Sequence, residues 1–194
     1  CDSLGMEKIT GFGDFFLNNY FKIKKITYEF RTKSLQIKPF LKNKPSENII
    51  VAYSLLPNDL AKKFDFKAPS INLRIKSLKK LTSLGWQIGL RFDPLIYEKN
   101  WKISYKDLII TILDEVNINY IHSVSFGSLR FPKQIFNKIT NMYPGDELFS
   151  NYFEKRDNVF SYKDEVEKEM TLYCKNLIIK NVKKDIQIFS RKSY

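Results

Sequence analysis

Apolar and polar positions follow two alternating rhythms along the chain. Phe12, Phe15, Phe16 and Tyr20 recur at helical spacing and predict a helix over 10–21, while 26–32 alternates as a strand. A second β-rich run covers 49–55 and is closed by the turn residues Pro57 and Asn58. From Ser70 the period returns to that of a helix. Leu73, Leu78, Leu81 and Leu84 mark its inner side, Lys76, Lys79 and Lys80 its solvent side, and Gly85 its C-terminal cap.

A strand over 86–92 follows at once, then a helix face of Trp101, Tyr105, Leu108, Ile112 and Val116, then a strand over 120–126. Pro132 opens a helix carrying Ile135, Phe136 and Ile139. Strands beginning near 26, 49, 86 and 120, each trailed by a helical pattern, describe repeated βα units. They predict an α/β fold with a parallel sheet, or part of a barrel. The rhythm breaks over 143–161, which is polar and aromatic, so 144–162 is expected to be a loop or insertion covering a site. A last helix over 163–181, acidic in its first turns with Lys180 near its end, and a strand over 186–189 complete the chain.

Composition narrows this picture. At 194 residues, 43% hydrophobic and 15% aromatic, the chain is too apolar for disorder and suits a single domain over 1–194. No apolar run reaches the length of a membrane span and no secretory leader pattern opens the sequence, so a cytoplasmic protein without membrane contact is expected. The sequence starts at Cys1 rather than Met and is expected to be a fragment or processed piece. The net charge of +12 would draw the chain to nucleic acid, although an excess made mostly of Lys beside abundant Ile and Asn is also what nucleotide bias produces.

Candidate chemistry sits where the strands end, because side chains there converge on one mouth in parallel βα architectures. The exits carry Arg31 to Ser34, then Ser54, then Arg91 and Asp93, then Gly127, Ser128 and Arg130. Any one of these residues could simply cap a helix; four polar exits in succession point to a shared site. Lys33 and Arg130 suit a carboxylate or phosphate, Ser54 a ligand hydrogen bond, and Asp93, its direction fixed by Pro94, a hydroxyl or a nearby cation. His122 lacks a second ligand at metal spacing and reads as a satisfied buried histidine rather than a metal ligand or acid–base residue. Cys174 falls on the apolar side of the last helix as a small hydrophobe, and Gly11 with Gly13 is too little for a nucleotide loop.

Several tags then agree in order and spacing with one family. The stretch from Asp2 to Gly11 resembles the DSLALDHLTG of spore photoproduct lyase-like proteins. Glu29 to Ser34 is similar to their ELKTKS, and Ser54 to Pro57 to their SLNP with Leu56 in place of Asn. Gly89 to Pro94 is similar to their GFHFDP, Trp101 and Tyr105 to the GW and GY signature, and Ser128 to Pro132 to TLRFP. Pro69, Ser70 and Arg74 extend the match, which covers roughly 1–145.

The resemblance implies a partial (β/α) barrel of the radical S-adenosylmethionine type, holding a 4Fe-4S cluster and S-adenosylmethionine and reversing a thymine-dimer photoproduct in DNA. By position it gives Asp2, Lys33, Ser54 and Arg74 to the cofactor, Asp93 and Arg130 to the substrate side, and Cys1 to the place of a hydrogen donor. The family's CxxxCxxC is not in this sequence, and Cys1 with Cys174 cannot supply the three thiolates of a compact loop, so the chain alone is expected to be inactive. Two other functions remain open: a radical S-adenosylmethionine protein with another substrate, and a non-catalytic nucleic-acid-binding remnant.

Overall fold

The structure, a computed structural model, describes residues 2–19, 25–149 and 153–191. Two short helices, α1 (Glu7–Thr10) and α2 (Phe12–Asn19), lead into β1 (Tyr28–Thr32), α3 (Lys38–Lys42) and β2 (Ile49–Ser54). Next come α4 (Asn58–Phe64), α5 (Ile71–Ser83), β3 (Gln87–Leu95), α6 (Trp101–Glu115) and β4 (Ile121–Ser128). The chain closes with β5 (Arg130–Pro132), α7 (Lys133–Met142), β6 (Phe153–Arg156), β7 (Val159–Tyr162), α8 (Asp164–Asn181) and β8 (Gln187–Arg191).

The main sheet is parallel, in the order β1-β2-β3-β4-β8. Successive side chains point to opposite faces of a strand, so the register sorts the residues into two sets. One face carries Phe30, Val51, Tyr53, Ile88, Leu90, Phe92, Val124 and Phe126, all buried in the core with residues of α3, α5, α6 and α8. Phe30 meets Phe40 of α3 edge-on at 5.3 Å, and the Trp86 indole donates to Phe40 O at 2.8 Å. Phe92 and Phe126 stack at 5.4 Å. The opposite face is mostly polar or small, with Glu29, Arg31, Ala52, Ser54, Gly89, Arg91, Asp93, Ser123, Ser125 and Gly127, and carries Ile50 and Phe189 as its large apolar residues.

The helix expected after Ser70 has a different phase from the leucine pattern. Ile71, Ile75, Leu78 and Leu81 are buried, whereas Leu73 and Leu84 are exposed. A leucine-only count missed the isoleucines that set the inner stripe. Gly85 ends this segment at φ +89, as the sequence required.

Residues 144–162, expected as a loop or insertion, contain the strands β6 and β7, which join β5 in a second sheet. The order is β5-β7-β6, antiparallel throughout. Two four-residue strands joined by Asp157 and Asn158 make a tight hairpin, with Asp157 at φ +49. Its stability comes from aromatic packing: Phe136 of α7 stacks on Phe160 at 4.1 Å, and Phe131, Phe149 and Phe153 ring them. The Tyr162 hydroxyl accepts from Tyr97 N at 2.9 Å and ties this sheet to the segment after β3.

Candidate functional site

At its C-terminal ends the main sheet presents a connected polar cluster. Arg31, on the open face of β1, reaches Ser54 Oγ at 3.5 Å and Asp93 Oδ2 at 3.3 Å. Asp93 lies over Gly127, where an added Cβ would stand 2.8 Å from its Oδ1; only glycine leaves room for the carboxylate there. The Asp93–Pro94 peptide is cis.

Lys33, just past β1, pairs with Asp65 of the loop after α4. Asp65 is nearly buried and also faces Arg74 Nη1 at 2.7 Å. This second contact is ionic rather than a directed hydrogen bond, since Asp65 Oδ2 and Arg74 Nη2 both lack a hydrogen-bond partner among the described residues. Arg74 is fully buried and donates to Ser54 O and Pro69 O, each at 2.9 Å. Its guanidinium therefore binds the end of β2, the 65–69 loop and α5 to one another.

Asp2 anchors the N-terminal segment to the same end of the sheet. Its carboxylate accepts from Leu4 N at 2.9 Å, Thr32 Oγ1 at 2.6 Å and Lys33 N at 2.7 Å. Burial alone would raise this carboxyl, but those donors outweigh it and hold the group below its ordinary range. The Tyr53 hydroxyl donates to Ser34 O at 2.7 Å, and burial pushes that phenol up to about 12.

Of the residues named from sequence, Lys33, Ser54, Arg74 and Asp93 are thus joined through Arg31 and Asp65, with Asp2 beside Lys33. Arg130 belongs to β5 of the second sheet and makes no hydrogen bond or ion pair with this cluster among the described residues. The chain leaves the main sheet at Leu129, whose N–H donates to Leu95 O at 3.0 Å. Cys1 lies outside the described residues. An apolar cavity of about 540 Å³ joins the two sheets near Lys33, walled by Leu56, Pro94, Leu129, Phe131 and Phe149.

Arg91, expected at the mouth, turns back along the open face instead. Its guanidinium is 5% exposed, grips Glu29 at 3.0 and 2.6 Å, and donates to Ser123 Oγ at 2.9 Å. Burial would raise Glu29, yet Arg91 outweighs it and holds the carboxyl low. Against the expectation of a satisfied buried histidine, His122, an extra residue in β4 where the register shifts, is only half-buried and its Nδ1 has no hydrogen-bond partner among the described residues; burial first and Arg91 second hold it below its ordinary range. Sequence reasoning missed Asp65 and Glu29 as partners, because ion pairs 32 and 62 residues apart carry no local pattern.

Comparison with known proteins gives a family and a fold. The family model described as spore photoproduct lyase matches residues 1–187. A spore photoproduct lyase from Clostridium acetobutylicum is 23% identical over 121 residues, covering 62% of this chain and 36% of that protein. A double mutant of spore photoproduct lyase solved with bound AdoMet and dinucleoside spore photoproduct superposes over 100% of this chain and 58% of its own, with a TM-score of 0.79 at 16% identity. A complex of the lyase with the dinucleoside photoproduct gives a TM-score of 0.80, also at 16% identity, over 97% and 57%. These likenesses show that the chain shares the α/β fold of the solved lyase structures, with its five-stranded parallel sheet. The chain spans well under two thirds of each relative.

Proposed function

The chain belongs to the spore photoproduct lyase family, and from that premise we propose that it forms part of a radical S-adenosylmethionine enzyme that repairs thymine-dimer photoproducts in DNA. The observation that carries this reading is the polar open face of the parallel sheet, ending in the linked group Lys33, Ser54, Arg31 and Asp93.

These residues fit S-adenosylmethionine, which when bound supplies the sulfonium carbon–sulfur bond that the family's chemistry cleaves. In this reading the partly exposed Lys33 ammonium takes the ligand carboxylate, and the Ser54 hydroxyl gives or accepts a hydrogen bond. Arg74 acts behind Ser54 and Asp65, since a fully buried guanidinium touches no ligand in this arrangement. Asp2 fixes the chain direction into Lys33, Asp93 with Arg31 borders the substrate side, and Arg130 meets the substrate from the second sheet. Cys1 is the hydrogen donor that the family match offers.

The 194 residues do not fit the iron–sulfur cluster. They hold two cysteines, and Cys174 is buried with its thiol pushed up to about 12, which disfavours the thiolate a cluster needs. Among the described residues no three His, Cys, Asp or Glu side chains are grouped to hold a metal. Cluster ligands in this reading come from outside the 194 residues.

The test is a titration with S-adenosylhomocysteine followed by amide chemical shifts. Shifts should concentrate near Lys33 and Ser54, and Lys33→Ala or Ser54→Ala should weaken binding about tenfold. Shifts absent from that end of the sheet at millimolar ligand would overturn the cofactor assignment. The rival reading, a nucleic-acid-binding protein without radical chemistry, draws on the missing cysteine triplet; DNA binding without any response to the nucleoside would favour it.

A further inference from the structure

The turn at 65–68 presents an aromatic ring, Phe66, that is 82% exposed. Ala68 N donates to Asp65 O at 3.0 Å, closing a tight turn, and Lys67 within it sits at φ +64, a left-handed conformation that a lysine adopts only under constraint. The constraint is visible. Asp65 is held by Lys33 and by the buried Arg74, and Arg74 Nε also grips Pro69 O at 2.9 Å. A clamped turn therefore holds Phe66 outward, 82% exposed, with Lys67 Nζ 5.8 Å from its ring centroid. Phe66, Lys67 and Lys33 line one side of an open cleft of about 360 Å³ at the end of β1.

We propose that Phe66 is a stacking platform for an unstacked base of a DNA strand crossing this mouth, with Lys67 meeting the adjacent phosphate. The proposal rests on the nucleic-acid reading above. In sequence Phe66 is followed by Lys67 and preceded by Lys62 and Lys63, and the cleft beside it mixes Lys33, Ser34, Gln36 and Lys67 with Leu35, Ala68 and Pro69, unlike the continuous apolar face of a protein docking patch. A rigid π-face beside a cation is what base stacking requires, because every base offers a face and every nucleotide a phosphate. The nearby carboxylates do not oppose this: Asp2 is taken by Thr32 and the Lys33 amide, Asp65 by Lys33 and Arg74, and Asp59 pairs with Lys62 at 3.3 Å. The chain's net charge of +12 favours the same partner.

The experiment is an anisotropy titration of the full chain with labelled oligothymidylate across a range of salt. Phe66→Ala should weaken binding about tenfold while leaving the salt slope unchanged, whereas Lys67→Ala should reduce the slope by about 0.7, one phosphate of a single strand. Phe66→Trp should emit as an exposed indole and be quenched on binding, against a background from Trp86 and Trp101 that are both buried. Because Phe66 is 82% exposed, an unchanged melting temperature is expected for all three. Wild-type binding that Phe66→Ala leaves intact, with the new indole unquenched, overturns the platform alone. Absence of binding by the wild-type chain at low salt overturns the platform and the nucleic-acid reading together.

Discussion

The two faces of the five-stranded sheet obey different rules. Parallel sheets are usually buried on both sides and read as continuous apolar runs. Here one face is apolar under its helices, and the other carries Glu29, Arg31, Arg91 and Asp93 on a floor of Ala52, Gly89 and Gly127. The apolar face holds the fold together through burial. The polar face carries two charge groups, Glu29–Arg91 towards the strand starts and Arg31–Asp93 towards the strand ends. A sheet that leaves one face polar reserves it for something other than its own packing.

The strongest way to break this comparison is to truncate one residue on each face. Leu90→Ala, on the fully buried side, should cost about 2–5 kcal/mol through the lost methyl groups and the cavity left behind. Ser125→Ala, on the half-buried open side, should cost about 0.5 kcal/mol or less. Urea midpoints measure both, and equal losses would mean that the open face is a second core.

A smaller effect tests the floor of the open face. A Cβ at Gly89 would stand 2.6 Å from Arg91 Nη2 and 2.9 Å from Ala52 Cβ, so Gly89→Ala must push the guanidinium off Glu29. The expected cost is about 1–3 kcal/mol. In an Arg91→Ala background the same change should cost less, and a double-mutant cycle reads the difference. Strict additivity would show that the glycine does not serve the ion pair.

The alternation that separates the faces was legible in the sequence, because Glu29-Phe30-Arg31-Thr32 and Gly89-Leu90-Arg91-Phe92 already switch sides at every residue. So was the gathering of polar residues at strand ends. Arg91 shows the limit: its position marks it as an exit residue, but its long side chain folds back to Glu29, and only the sheet register brings those two together. The second sheet escaped for another reason. Strands of four residues give too few positions for a period, and charged Glu154, Lys155 and Arg156 hide the pattern. The signal that remained was Asp157-Asn158 between aromatic residues, a hairpin turn rather than a loop. Asp65 had no local signal at all, since its meaning lies in Lys33 and Arg74 far along the chain.

The smallest effect follows from the charges of the open face and should appear as a two-step dependence of stability on pH. His122 is held below its ordinary value, so on acidification the unfolded chain takes up that proton first. Its contribution is fully present above about pH 6.5 and is lost as the pH falls through the lower folded value. The groups facing it are Arg91 and Glu29, with Lys184 nearby, and the two cations oppose protonation while the carboxylate favours it. Glu29 and Asp2 are also held low, so their contributions are complete above about pH 4 and decline below it as each is forced to protonate in the folded state. Urea midpoints recorded from pH 8 to pH 3 should therefore fall first below about pH 6.5 and again below about pH 4. His122→Gln should remove the first fall and keep the second. Thr32→Val, which deletes a donor to Asp2 without touching the open face, should flatten only the second. A single acid transition unaffected by either change would show that neither the bulge in β4 nor the anchor at Asp2 feels the charges packed around it.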